Sequence, residues 1–133
     1  DTGHEEWFEY YQLQWDVEFL KTNFFEKLHR NDSEFILSFY YKNEDRYEDK
    51  EIFIPAESIV IVEGVFLLRE EWKSYFDLII FLDCPKEVRY IGSMEERLKK
   101  YENRYWPAED YYFKKQKPLE VAHIVYRVNV RHI

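Results

Sequence analysis

Glu63 closes the run Ser58-Ile59-Val60-Ile61-Val62 and is followed by Gly64. A short apolar run with β-branched side chains and a polar stop predicts a strand over 58–64, buried on both faces of a parallel sheet. Ligands of α/β proteins collect at the C-terminal ends of such strands. A carboxylate placed there can hold Mg²⁺ beside a nucleotide phosphate, directly or through water. Gly64 would then let the backbone turn or a ligand approach closely. Glu63 can equally mark the strand end or cap the next helix, and the stretch by itself leaves both readings open.

A second group is basic. Arg89, Arg97, Lys99, Lys100 and Arg104 gather in a chain whose formal net charge is −8. Lys99 and Lys100 have helical i,i+4 partners in Glu95 and Glu96. The three arginines have no such simple account, and guanidinium forks bind phosphate bidentately and can stabilise charge on a transferring phosphoryl group. Tyr40, Tyr41, Arg46 and Tyr47 flank or lie within the charged stretch 42–50. They can stack on a base or hydrogen-bond to it if 34–41 and 51–54 pair as a hairpin flap; otherwise 42–50 is a solvated loop. Asp16 can reach a ligand hydroxyl or stand as an exposed helical aspartate. His123 can meet a ligand or make a local hydrogen bond. Cys84 reads as a small buried hydrophobe, since no histidine lies near it in sequence.

The elements that must position these residues follow from periodicity. Leu13, Val17, Leu20, Phe24 and Leu28 predict one helix over 5–29, closed by Asn31-Asp32-Ser33. Pro55 ends the second strand of the hairpin. A short helix is expected from Glu70-Glu71-Trp72, and Leu78 to Leu82 is a second apolar strand. Pro85 opens a helix with Val88, Ile91, Met94, Leu98 and Tyr101 as its buried stripe. Pro107 starts another, with Lys114 and Lys115 in its last turn and Lys117-Pro118 as its stop. A last strand is expected over 122–128.

Composition narrows the function. With 133 residues, 46% hydrophobic and 20% aromatic, the chain can bury one core, so 1–133 is read as a single domain. The net charge of −8 argues against a nucleic-acid binder, which would show a basic face. One cysteine excludes an internal disulfide and a cysteine-rich zinc site. No apolar run approaches the roughly 18 residues of a membrane span, so no membrane partner and a reducing, cytoplasmic setting are expected.

Two stretches taken together resemble a known family. Ile59-Val60-Ile61-Val62-Glu63-Gly64-Val65-Phe66, followed by Tyr75-Phe76-Asp77 and Leu78 to Asp83, is similar to the uridine kinase group of P-loop kinases (the uridine kinase and phosphoribulokinase group). Arg104-Tyr105-Trp106-Pro107-Ala108-Glu109-Asp110-Tyr111-Tyr112, Lys117-Pro118 and Ala122-His123-Ile124-Val125 resemble its lid and last strand. The resemblance runs from about Thr2 to Tyr126. It implies a three-layer α/β P-loop fold with a mostly parallel sheet, a β-hairpin flap over about 34–54 and a lid over about 89–106. It also implies transfer of a phosphoryl group from ATP, with Mg²⁺, to a hydroxyl of a nucleoside-like small molecule. Glu63 falls on the position that helps hold Mg²⁺ and substrate; Arg89, Arg97 and Arg104 fall on or near the lid arginines, with Arg104 and Glu63 as the catalytic pair. The hairpin, with Tyr40, Tyr41 and Arg46, falls on the flap that closes over the base, although the family's Tyr-Asp pair is Tyr40-Tyr41 here and its base-reading histidine is absent.

The phosphate loop G-x-x-x-x-G-K-[ST] is absent, for the glycines are Gly3, Gly64 and Gly92 and no Gly-Lys pair occurs. The expectation is therefore the C-terminal two-thirds of a kinase, inactive as this fragment. Its alternative is a kinase-derived module that binds a nucleotide or partner without catalysis. An incomplete sheet would expose a strand edge and favour a homo-oligomer.

Overall fold

The computed structural model describes residues 4–85 and 95–128. The helix predicted from Pro85 therefore lies largely outside the described residues, and Arg89 with it. In chain order the elements are α1 (6–13), α2 (17–29), β1 (Glu34–Tyr41), β2 (Arg46–Phe53), β3 (Ile80–Asp83), α3 (95–116), α4 (Pro118–Val121) and β4 (Ile124–Arg127).

The helix expected over 5–29 is two helices. Asp16 leaves the helical conformation, and its Oδ1 accepts the Phe19 N–H at 3.1 Å. An aspartate so placed satisfies one of the donors that a helix start orphans, which favours a new start over continuation. Each helix also contains a π-helical turn, Glu9–Leu13 and Lys21–Phe25. These wider turns move the apolar face away from the simple 3.6-residue stripe. Tyr11, Val17 and Phe25 are buried, whereas Leu13 is 48% exposed.

β1 and β2 form an antiparallel hairpin in which Leu37 faces Lys50, Phe39 faces Glu48 and Tyr41 faces Arg46. β2 begins at Arg46 and not at Glu51, as the sequence pattern suggests. A two-stranded ribbon lets charged side chains stay in water while their backbones pair, so low hydrophobicity does not end the strand there. The base of the hairpin is anchored by Phe35, which is 1% exposed and lies 6.0 Å from the Phe24 ring of α2.

β3 and β4 pair in parallel, Ile80 opposite Ile124 and Leu82 opposite Tyr126. On one face Phe81 meets Phe113 of α3 edge-on at 5.6 Å. Ile80, Leu82, Ile124 and Tyr126 share the other face and are exposed.

The run 58–64 departs most from expectation. It pairs with no strand among the described residues, and Ile59 and Ile61 are 94% and 88% exposed. A strand of this kind needs a hydrogen-bonding neighbour and a layer on each face, and neither is supplied by the described elements. The helix expected from Glu70 is a series of turns ending in the 3₁₀ turn Lys73–Tyr75.

α3 runs unbroken through Pro107. A π-helical turn, Tyr101–Tyr105, immediately precedes it, and the wider winding accommodates a residue that has no N–H to give and crowds the preceding turn. Lys117, at φ 47°, ends the helix and Pro118 starts α4. The core has two parts. Tyr11, Phe66, Leu68, Ala108 and Tyr112 form one, and Val17, Phe25 and Trp72 form the other, with Phe76 packed against both.

Candidate functional site

Glu63 is exposed on the wall of an open cleft of about 460 Å³. The cleft separates the extended segment 61–65 from β3, and its apolar floor includes Phe66, Phe76, Ile79, Phe81 and Phe113. Asp83, at the C-terminal end of β3, and Glu109 of α3 line the same cleft. The polar ends of the two extended segments thus lie on one opening, the arrangement expected of a ligand crevice at strand C-termini.

The turn after Glu63 is tightly built. Phe66 carries φ 57°, which costs a non-glycine residue of order 1 kcal/mol and persists only where packing over-determines it. Its ring lies 5.2 Å from Tyr10, 5.0 Å from Tyr11 and 5.3 Å from Tyr112. Leu68 donates its buried N–H to the Tyr112 hydroxyl at 3.0 Å. Burial pushes the Tyr112 phenol up to about 12, with the Leu68 hydrogen bond opposing the shift. Gly64 is not where the chain needs glycine: a Cβ there would meet Leu67 at an ordinary 3.6 Å.

The buried Arg69 staples this turn to α1. Its Nη2 donates to the Tyr11 carbonyl at 3.0 Å, its Nε donates to the Phe66 carbonyl at 3.2 Å, and the guanidinium lies 4.6 Å over Trp72. Burial holds its pKa below the usual arginine value. Its Nη1 and the Gln116 Oε1 are buried without protein partners. Both residues line a second cavity of about 90 Å³, room for about three water molecules.

Of the predicted lid arginines, Arg104 and Arg97 are described. Arg97 is exposed on α3. Arg104 donates through Nη2 to Gln14 Oε1 at 2.9 Å and lies 5.1 Å over the Tyr10 ring, so its guanidinium rests on α1, beside a tyrosine that also lines the Glu63 cleft.

The hairpin residues divide between two faces. The Tyr40 ring lies tilted against that of Tyr47 at 5.0 Å, and its hydroxyl donates to Asp45 at 2.7 Å; that hydrogen bond raises the phenol's pKa. On the opposite face Arg46 lies 4.8 Å over Tyr41 and pairs with Glu44 and Glu48. Tyr40 therefore cannot share one ligand face with Tyr41 and Arg46, and the Glu63 cleft is lined by no hairpin residue. Asp16 is occupied as a helix cap. His123 accepts the Ile79 N–H at Nδ1 (2.9 Å), which fixes the start of the β3–β4 ladder. Among the described residues no three His, Cys, Asp or Glu side chains group as a metal site, and no helix is long and apolar enough to cross a membrane.

The sequence pattern missed Tyr10, Tyr11, Arg69 and Tyr112, which shape the turn. The signal available was the 20% aromatic content, but it does not say which rings converge.

No protein-family model and no curated protein matches the chain. Among solved structures, a possible uridine kinase from Bacillus stearothermophilus is 39% identical and superposes with a TM-score of 0.80 over 94% of this chain. At that identity the likeness extends past the fold to the residues that fill it. The chain spans 61% of that protein's length, and over that span its α/β fold is similar to that of the possible uridine kinase.

Proposed function

We propose that these residues are the greater part of an ATP-dependent phosphotransferase of the uridine kinase type, acting on a hydroxyl of a nucleoside or similar small molecule. The observation that carries this reading is the 39% identity to a possible uridine kinase over 94% of the chain. The position of Glu63 on the cleft wall is consistent with it.

In such a reaction a bond forms between the acceptor oxygen and the γ-phosphorus, the bond from that phosphorus to the β,γ-bridging oxygen breaks, and the acceptor proton passes to a base. Magnesium ions are typically held by one or two carboxylates, with phosphate oxygens and water completing six positions. The exposed Glu63 fits that habit, and among the described residues no three His, Cys, Asp or Glu side chains group to make a site wholly of protein ligands. When bound, Mg²⁺ neutralises charge on the phosphates. Glu63 would hold it and orient the acceptor. Arg104 would leave Gln14 and Tyr10 and stabilise the equatorial oxygens of the transferring group, with Arg97 and Arg89 on the same lid. Tyr40, or Tyr41 with Arg46, would contact the acceptor from one face of the hairpin, and Asp16 would reach an acceptor hydroxyl only by giving up its cap. We place the protein in the cytoplasm.

ADP release by the full product of the gene, measured with a panel of nucleosides and small sugars, tests this. Turnover of at least one is expected, and no turnover of any contradicts the proposal. The alternative is a module that binds nucleotide or partner without catalysis. ATP binding without ADP release would select it.

A further inference from the structure

The turn that carries the chain from Glu63 toward β3 is held from outside itself, by α3. Phe66 is strained at φ 57° and 5% exposed. Its conformation must be maintained by its surroundings. Tyr112 contributes twice: its ring meets Phe66 at 5.3 Å, and its hydroxyl accepts the Leu68 N–H at 3.0 Å across 44 residues of sequence. Tyr112 is 6% exposed and lines the cleft that Glu63 also lines. Tyr112 and Arg104 lie on one continuous helix, so the lid arginine and the Glu63 turn share a rigid support.

We propose that Tyr112 is a positioning residue for Glu63: its ring and hydroxyl set the 64–68 turn, and thereby the direction in which the Glu63 carboxylate meets the cleft. The proposal rests on Glu63 acting in phosphoryl transfer. In this role Tyr112 acts through the turn and not on the reacting atoms.

Tyr112→Phe keeps the ring and removes the acceptor, leaving the buried Leu68 amide without a partner. In the gene's full product, kcat is expected to fall about tenfold, with the acceptor KM changed less than about twofold. In a Glu63→Gln background the same substitution should cause no further loss, because two residues acting through one group are not additive. Amide exchange at Leu68, read without reference to activity, should accelerate in Tyr112→Phe while the unfolding transition remains cooperative. Additive losses in the double variant, an unchanged kcat, or unchanged Leu68 exchange would each overturn the proposal. The two levels separate cleanly. An inactive wild type, or a Glu63→Gln variant of full activity, removes the Glu63 reading and this role with it. An active, Glu63-dependent enzyme indifferent to Tyr112→Phe removes this role alone.

Discussion

Ile61 offers a sharp test of how 58–64 stands in this chain. Its sequence neighbourhood is that of a strand buried on both faces, yet the side chain is 88% exposed. Replacing it with aspartate should therefore change the stability of the 133-residue chain by less than about 0.5 kcal/mol, as for an ordinary surface site. For a domain of this length the unfolding entropy is about 0.28 kcal/mol/K, so 1 kcal/mol corresponds to about 3.5 °C in Tm. The expected shift is under about 2 °C. Were Ile61 buried in a sheet, the substitution would forfeit about 2–3 kcal/mol of apolar transfer. It would also add a carboxylate desolvation cost of several kcal/mol, a fall of about 15 °C or more. Thermal unfolding followed by circular dichroism separates these outcomes, with Phe25→Ala as the buried control. Phe25 is 4% exposed, and its truncation should cost about 3–5 kcal/mol, or about 10–18 °C. A fall of 10 °C or more for Ile61→Asp in the isolated chain would refute the reasoning and show the run to be covered, as it would be in a self-paired oligomer.

Other outcomes follow from single contacts. Tyr112 titrates near 12 in the folded protein against 10.0 unfolded. The folded pKa is the higher, so the stability it contributes is full below pH 10 and is lost as pH rises through 12. Urea unfolding should show stability falling across that window, with roughly 2–3 kcal/mol of the fall due to Tyr112; Tyr112→Phe should make it shallower, leaving the part that the buried Tyr10 and Tyr11 contribute, and an equal loss in the variant would exclude Tyr112 as a source. Asp16→Ala should lower the Tm by about 3–4 °C through loss of the cap, whereas Asp16→Asn should restore it, since both side chains accept from the Phe19 amide; equal destabilisation by both would rule out capping. Arg104→Ala should reduce kcat of the full product about 10³-fold if the arginine stabilises the transferring phosphoryl group. Its contacts to Gln14 and Tyr10 are worth only about 1 kcal/mol, so a large Tm loss with little change in kcat would make it structural.

The apolar strands and the hairpin were legible because their signals are local. Leu78 to Leu82 announces β3 within one or two residues, and Pro55 marks the end of the hairpin. The break at Asp16 was less so, because a cap and an exposed helical aspartate look alike in a periodic pattern. Pro107 misled in the opposite direction, since a preceding π-helical turn lets the helix absorb it. Glu63 stands out in sequence as a carboxylate that closes an apolar run. The parts that aim it do not. Phe66, Arg69 and Tyr112 are separated by up to 46 residues, and Phe66 takes a positive φ that no local residue preference favours. Hairpin residues adjacent in sequence, Tyr40 and Tyr41, necessarily face opposite sides of a strand.

The central claim is phosphoryl transfer with Glu63 taking part, and label transfer tests it most directly. The full product of the gene would be incubated with Mg²⁺, ATP labelled at the γ-phosphorus, and nucleoside acceptors, as wild type and as Glu63→Gln. The account predicts label on an acceptor hydroxyl for the wild type and about 10²-fold less for Glu63→Gln, with the Tm of the two within about 2 °C, as suits an exposed side chain. No labelled acceptor from the wild type, or equal labelling by both, would contradict it.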